Sequence, residues 1–144
     1  MNLLFSTIAA LVATANAFTA LQPPDENLPP QAGIEINLSQ PYTLTWSHAS
    51  KSETGNLCID IVTRVNFCVE SARIVKTPIA NNQYLLTLSD IQSHPLIAQT
   101  QYGCPNQPPQ RPIDKGVYEL YYNPCTADQP DSQWAHSQDF QLTW

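Results

Sequence analysis

Alternation with a period of two runs through most of this chain. In Tyr42-Thr43-Leu44-Thr45-Trp46 the large apolar side chains take every second position, with threonines between them. That is the pattern of a strand with one buried face. β-Branched and aromatic residues suit such a pleated surface, and the ring of Trp46 is large enough to anchor a core between two sheets. Residues 33–38 alternate in the same way, with Ile34, Ile36 and Leu38 inward and Glu35 and Asn37 outward. Pro41 suits the entry to the next strand.

The pattern predicts further strands downstream. Leu57–Val62 and Val65–Glu70 read as a hairpin turning near Thr63, its second arm running on through Arg73-Ile74-Val75 until Thr77-Pro78 breaks it. Tyr84–Leu88 follows a turn signal at Asn81-Asn82, and Asp90–Pro95 reads as a helical turn. In 116–123, Tyr118, Leu120 and Tyr122 share one side while Glu119 and Tyr121 take the other. Ser137–Trp144 closes the chain with Phe140, Leu142 and Trp144 inward. Polar stretches at His48–Asn56 and Thr126–Gln133 read as loops. Short strands at this spacing, without an amphipathic helix, predict an all-β fold, an immunoglobulin-like Greek-key β-sandwich of about seven strands.

Two regions break the alternation. Residues 18–32 contain Pro23-Pro24 and Pro29-Pro30 and predict an extended, weakly structured arm ahead of the domain at 33–144. Gln99–Lys115 carries Cys104, Pro105, Pro108, Pro109 and Pro112. Prolines remove backbone donors, so this stretch is excluded from a sheet interior. Long ordered loops often carry function, which makes the Cys104–Pro112 loop the first place to look for a contact surface.

Residues 1–17 read as a secretory signal peptide: a nearly unbroken apolar run from Leu3 to Val12, then Ala15-Asn16-Ala17 as the small-residue cleavage site. Its leading segment has no Lys or Arg. The run falls short of the roughly 20 residues a membrane span needs. Cleavage after Ala17 leaves a chain of one-domain size that begins at Phe18. No hydrophobic tail of the kind a lipid-anchor signal needs precedes Trp144. The expected product is soluble, secreted, extracellular and monomeric, with no membrane anchor.

Twelve acidic and six basic residues give a formal charge of −6, and only 12% of residues are charged. An acidic chain with scattered cations lacks the electrostatic footprint of a nucleic-acid binder. Four cysteines in a secreted chain predict two disulfides, with three pairings open. A hairpin turning near Thr63 sets Cys58 opposite Cys68, and a cross-strand Cys58–Cys68 bridge leaves Cys104–Cys125. The rival pairing joins Cys58 to Cys125. Stapling is the expected role, because no CxxC spacing points to redox or metal chemistry. Asn37-Leu38-Ser39 is an N-glycosylation sequon on the polar face of a strand.

Pro41-Tyr42-Thr43-Leu44-Thr45-Trp46 followed by Cys58-Ile59-Asp60-Ile61-Val62 resembles the opening of the fungal immunoglobulin-like domain of cell-wall-synthesis proteins of the KRE/KNH type. The same module occurs in Ser/Thr-rich membrane-anchored wall proteins. Asn82-Gln83-Tyr84-Leu85-Leu86-Thr87-Leu88 is similar to the family's aromatic-bearing middle strand. Gly116-Val117-Tyr118-Glu119-Leu120 and Ser137-Gln138-Asp139-Phe140-Gln141-Leu142 are similar to its later strands. The resemblance implies a sandwich acting at a cell wall. The family's Ser/Thr-rich stalk and anchor signal are missing here, and the four cysteines and the proline-rich loop are additions. Those additions suit small secreted fungal proteins, including ones deployed against a host. The family has no defined catalytic residues to carry over.

The remaining chemistry is sparse. His48, His94 and His136 fall on separate predicted loops or strand ends, and no spacing brings them together as metal ligands. Fungal copper monooxygenases place a histidine at the mature N-terminus of a similar core; here that position is Phe18. Asp60 and Glu70 are expected on one side of the hairpin, the pairing glycoside hydrolysis would need, but without a cleft. No Gly-x-Ser-x-Gly elbow exists. The expectation is a non-catalytic module without cofactor or metal, binding a cell-wall polysaccharide or an extracellular protein. Tyr102, Tyr121 and Trp134 are the candidate stacking faces. The alternative is a secreted effector or inhibitor engaging a host protein through the Cys104–Pro112 loop; a hydrolase or copper enzyme is the third reading.

Overall fold

Two β-sheets enclose one core. The computed structural model describes residues 18–48, 55–65, 68–99, 109–125 and 135–144. A three-stranded sheet has the order β1 (Phe18–Gln22), β3 (Tyr42–His48), β6 (Gln83–Leu86). The larger sheet runs β2 (Glu35–Asn37), β11 (Phe140–Thr143), β9 (Gly116–Pro124), β4 (Asn56–Val65), β5 (Cys68–Pro78), β7 (Leu96–Ala98), β8 (Gln110–Arg111), and β10 (Ala135–His136) adds to β9. Neighbours pair antiparallel except β2 and β11, which are parallel. No helix among the described residues is long and apolar enough to cross a membrane.

Alternation decides what enters the core. Leu44 and Trp46 from the small sheet meet Ile59, Ile61, Tyr118, Leu120, Tyr122, Phe140 and Leu142 from the large one, all buried. The rings of Phe18 and Tyr122 lie 5.6 Å apart between the sheets. Trp46 is buried and its indole Nε1 donates to the Ile79 carbonyl at 2.9 Å, so its one polar atom is satisfied inside the core. Fully burying a side chain of the Leu, Ile or Phe class stabilises by about 1.5–3 kcal/mol, which makes this shared face the main support of the fold.

The β4–β5 hairpin is longer than its sequence suggests. Thr63 pairs with Glu70 and Val65 with Cys68, so the strands run on past Thr63, where the turn was expected. The β-branched run Ile61-Val62-Thr63 extends the strand past the expected corner. A register irregularity beside Ile59 and Asp60 places both Ile74 and Val75 in the core while Arg73 faces Asp60. That is the extra residue and local twist of a β-bulge. Moving the turn changes the pairing by an odd number of positions, so Cys68 and Glu70 lie on the opposite face from Cys58 and Asp60.

The disulfide pairing is corrected accordingly. Cys58 is in register with Lys76 on one side and Asn123 on the other, and is bonded to Cys125, with 5.1 Å between the Cα atoms. The rival pairing is the one realised, and both Cys58–Cys68 and Cys104–Cys125 are excluded. Cys104 lies outside the described residues.

The proline-rich N-terminal segment is not a weakly structured arm: it is built into the fold, as strand β1 followed by turns. Phe18 and Ala20 in β1 are buried, and Phe18 pairs with His48 of β3. Beyond a cis Gln22–Pro23 bond, Gln138 gathers the segment: its Nε2 donates to the carbonyls of Asp25, Leu28 and Pro29 at 3.1–3.2 Å, and its Oε1 accepts from Gln31 N at 2.8 Å.

Candidate functional site

With Leu57, Ile59 and Ile61 of β4 and Tyr118, Leu120 and Tyr122 of β9 turned inward, the residues between them must face out. The register then sets Arg73, Asp60, Tyr121 and His136 in one row across β5, β4, β9 and β10. Asp60 is the centre of a fixed polar group. Arg73 donates from Nε to Oδ1 at 2.9 Å and from Nη2 to Oδ2 at 3.4 Å, and Asn123 Nδ2 donates to Oδ2 at 3.1 Å. Tyr121 stacks on His136, ring centroids 4.1 Å apart and planes inclined by 20°, and His136 Nδ1 lies 3.8 Å from a Glu26 carboxylate oxygen.

A groove of about 440 Å³ opens beside this row, lined by Asp60, Ser71, Arg73, His94, Pro95 and Ile97. Its far wall is His94 and Pro95, just past the short helix α1 (Leu88–Gln92). Thr87 caps the helix by accepting from Asp90 N, while the Asp90 carboxylate accepts from Thr87 N at 2.8 Å and from Tyr84 OH at 3.1 Å. This reciprocal capping box satisfies the exposed backbone donors of the first turn. The Tyr84 phenol is held above its ordinary value by burial and by the neighbouring Asp90 charge. His94 Nδ1 lies 2.8 Å from Asp90 O. A carbonyl only accepts, so Nδ1 carries the hydrogen, and in the tautomer this selects Nε2 is the acceptor. A second cleft, of about 300 Å³, lies between Val62, Val117, Glu119 and Asp139 at the other end of the same face.

The residues singled out from sequence scatter on this framework. Tyr121 lies in the row, with one ring face covered by His136; Tyr102 and Trp134 lie outside the described residues. Asn37 is exposed at the end of β2, its Oδ1 accepting from Ser39 N at 2.9 Å in an Asx turn. Asp60 and Glu70 are on opposite faces of the hairpin and form no carboxylate pair: Asp60 faces Arg73, and Glu70 is buried against Arg111. His48, His94 and His136 sit on different elements, and among the described residues no group of three or more metal-ligating side chains converges. Arg73, Asn123 and Ile97 were not anticipated. The signal for Arg73 was its place in the same hairpin as Asp60, usable only once the turn is known.

Compared with family models, with curated proteins and with solved structures, the chain matches none.

Proposed function

We propose that this is a small secreted, non-catalytic module of fungal type, an immunoglobulin-like Greek-key sandwich that binds at a cell wall or another extracellular surface. The observation that carries the reading is the row Arg73–Asp60–Tyr121–His136 across four strands of one sheet. It presents an aromatic stack and a preorganised polar pair on a broad face, the mixture that contact surfaces favour. Asp60 is committed to Arg73 and Asn123, which suits recognition better than proton transfer. The strand orders β1-β3-β6 and β2-β11-β9-β4-β5, with β2 parallel to β11, support the immunoglobulin-like reading. The segments similar to the KRE/KNH-type domain fall on β3, β4, β6, β9 and β11 and include the core residues Leu44, Trp46, Ile59, Tyr118 and Phe140. They therefore speak for architecture and compartment more than for a ligand. A second disulfide, Cys68–Cys104, and a glycan on Asn37 complete the proposal; with Cys58 and Cys125 joined, Cys68 and Cys104 are left to pair.

The test is retention of the purified, glycosylated protein on insoluble β-glucan, chitin and wall preparations. Retention that Tyr121→Ala abolishes supports the reading. No retention on any polymer removes it and shifts the weight to a protein partner. That second reading has an observation of its own: Arg111 is tied to buried Glu70, which fixes the base of the Cys104–Pro112 loop as an inhibitor or effector loop would require.

A further inference from the structure

We propose that the groove between Arg73 and Ile97 is a subsite for a neutral oligosaccharide. This rests on the wall-binding reading above and adds the position and the chemical class of the ligand.

The lining has two chemically distinct walls. On one, Ile97 is 50% exposed beside Pro95, an apolar patch on the outer face of β7 between Ser71 and Gln110. Such a patch suits the carbon-bound face of a sugar ring, which leaves water more readily than its hydroxyl edge. The other wall is a set of donors and acceptors already held in place. Arg73 spends Nε and Nη2 on Asp60 and, among the described residues, keeps Nη1 for the groove. Ser71 Oγ accepts from Gln99 Nε2 at 3.0 Å and retains its own hydrogen to donate. His94 adds the acceptor Nε2. Hydroxyl groups both donate and accept, so a polyol satisfies a mixed set of this kind, and groups fixed beforehand cost less to order on binding.

Charge narrows the class further. Arg73 and Asp60 neutralise each other, and the chain as a whole carries −6. A polyanion such as a uronate or phosphate polymer would be repelled at long range and would find its cation already paired; a cationic ligand would find Asp60 occupied. The volume of about 440 Å³ is in the range of small-molecule sites. Strand spacing places Arg73 and His136 roughly 14 Å apart along the row, so a polymer seated in the groove would continue toward Tyr121.

The experiment is an NMR titration of the oxidised protein with soluble hexasaccharides of β-1,3-glucan, β-1,4-glucan and chitin, and with an oligogalacturonate as the charged counterpart. Binding of at least one neutral hexamer is expected, with amide shifts at Ser71, Arg73, His94 and Ile97. Ile97→Ser and Arg73→Gln should each weaken binding about tenfold, while Leu85→Ser on the other sheet leaves it unchanged. Both groove changes are at partly exposed side chains, and matching thermal midpoints will verify that the variants fold. Preference for the oligogalacturonate, no binding of any neutral hexamer, or binding indifferent to both groove variants overturns the proposal. Wall retention lost in Tyr121→Ala but kept in both groove variants overturns the groove alone and leaves the wall-binding reading standing.

Discussion

Arg111 holds the carboxylate of Glu70 from 41 positions away, its Nε 2.8 Å from Oε1 and 3.1 Å from Oε2. Glu70 is fully buried on the inward side of β5, past the end of the apolar core, and Arg111 reaches it from the edge strand β8. The hydrogen bonds to Glu70 are the main reason the guanidinium is held above its ordinary value, so it stays charged. Two-point contact of this kind fixes orientation as well as distance, and it secures the end of the proline-rich segment just ahead of buried Ile113.

Removing one partner should cost far more than removing both. Arg111→Met leaves a buried carboxylate without its cation and should lower stability by about 3–5 kcal/mol. Glu70→Leu combined with Arg111→Met should recover most of that loss, because it removes the desolvated charge as well. Urea unfolding midpoints of the single and double variants decide it; a double variant as unstable as Arg111→Met would show that packing, not charge, is at stake.

The core was legible in the sequence and the outer face was not, for a physical reason. Burial follows alternation, so Trp46, Tyr118, Leu120, Tyr122, Phe140 and Leu142 could be assigned inward from their spacing alone. Register depends on where a hairpin turns. The link Asn66-Phe67 offers no glycine or proline to mark it, while Thr63 interrupts a run of larger apolar residues. Missing the turn by an odd number of positions misplaced Cys68 and Glu70 together and hid the Asp60–Arg73 pair. The bulge beside Ile59 has no local signal either. Phe18–Gln22 looked like an arm because it is short and followed by two prolines; its burial comes from pairing with β3, which is a tertiary effect.

Peptide mapping without reduction should recover a linked pair containing Cys58 and Cys125, and a second containing Cys68 and Cys104. A Cys58–Cys68 peptide would contradict the register of the hairpin. Replacing Cys58 and Cys125 by alanine opens a loop with a sequence separation of 67. In the chain-entropy account this should lower stability by about 4 kcal/mol, readable as a shift in the denaturation midpoint.

Gln138 should prove the clamp of the N-terminal segment. One amide group serves the carbonyls of Asp25, Leu28 and Pro29 and the N–H of Gln31. Gln138→Leu keeps the bulk but strands those groups, at a cost of about 1–3 kcal/mol. Hydrogen exchange should accelerate at Gln31 and its neighbours while Leu44 and Trp46 stay protected. Equal acceleration throughout would mean that the segment is not a separate unit.

Tyr122 should govern the alkaline limit of the fold. Its ring is buried, and its hydroxyl has no hydrogen-bond partner among the described residues. Burial, with smaller effects from Tyr42 and Asp25, pushes its ionisation far above the ordinary value of 10.0. The fold thus favours the neutral phenol: stability is full below about pH 10 and falls as the pH rises beyond it, by up to about 1.4 kcal/mol per unit for this one group. Tyr42 and Tyr118 are shifted in the same direction, again chiefly by burial. Tyr122→Phe removes an unpaired buried hydroxyl and should raise stability at neutral pH by about 1 kcal/mol. It should also flatten the alkaline decline by about one proton. Urea unfolding from neutral pH to beyond pH 10, followed alongside tyrosinate absorbance, tests both. A loss of stability in Tyr122→Phe at neutral pH would mean that the hydroxyl has a partner, an ordered water included, and would overturn the assignment.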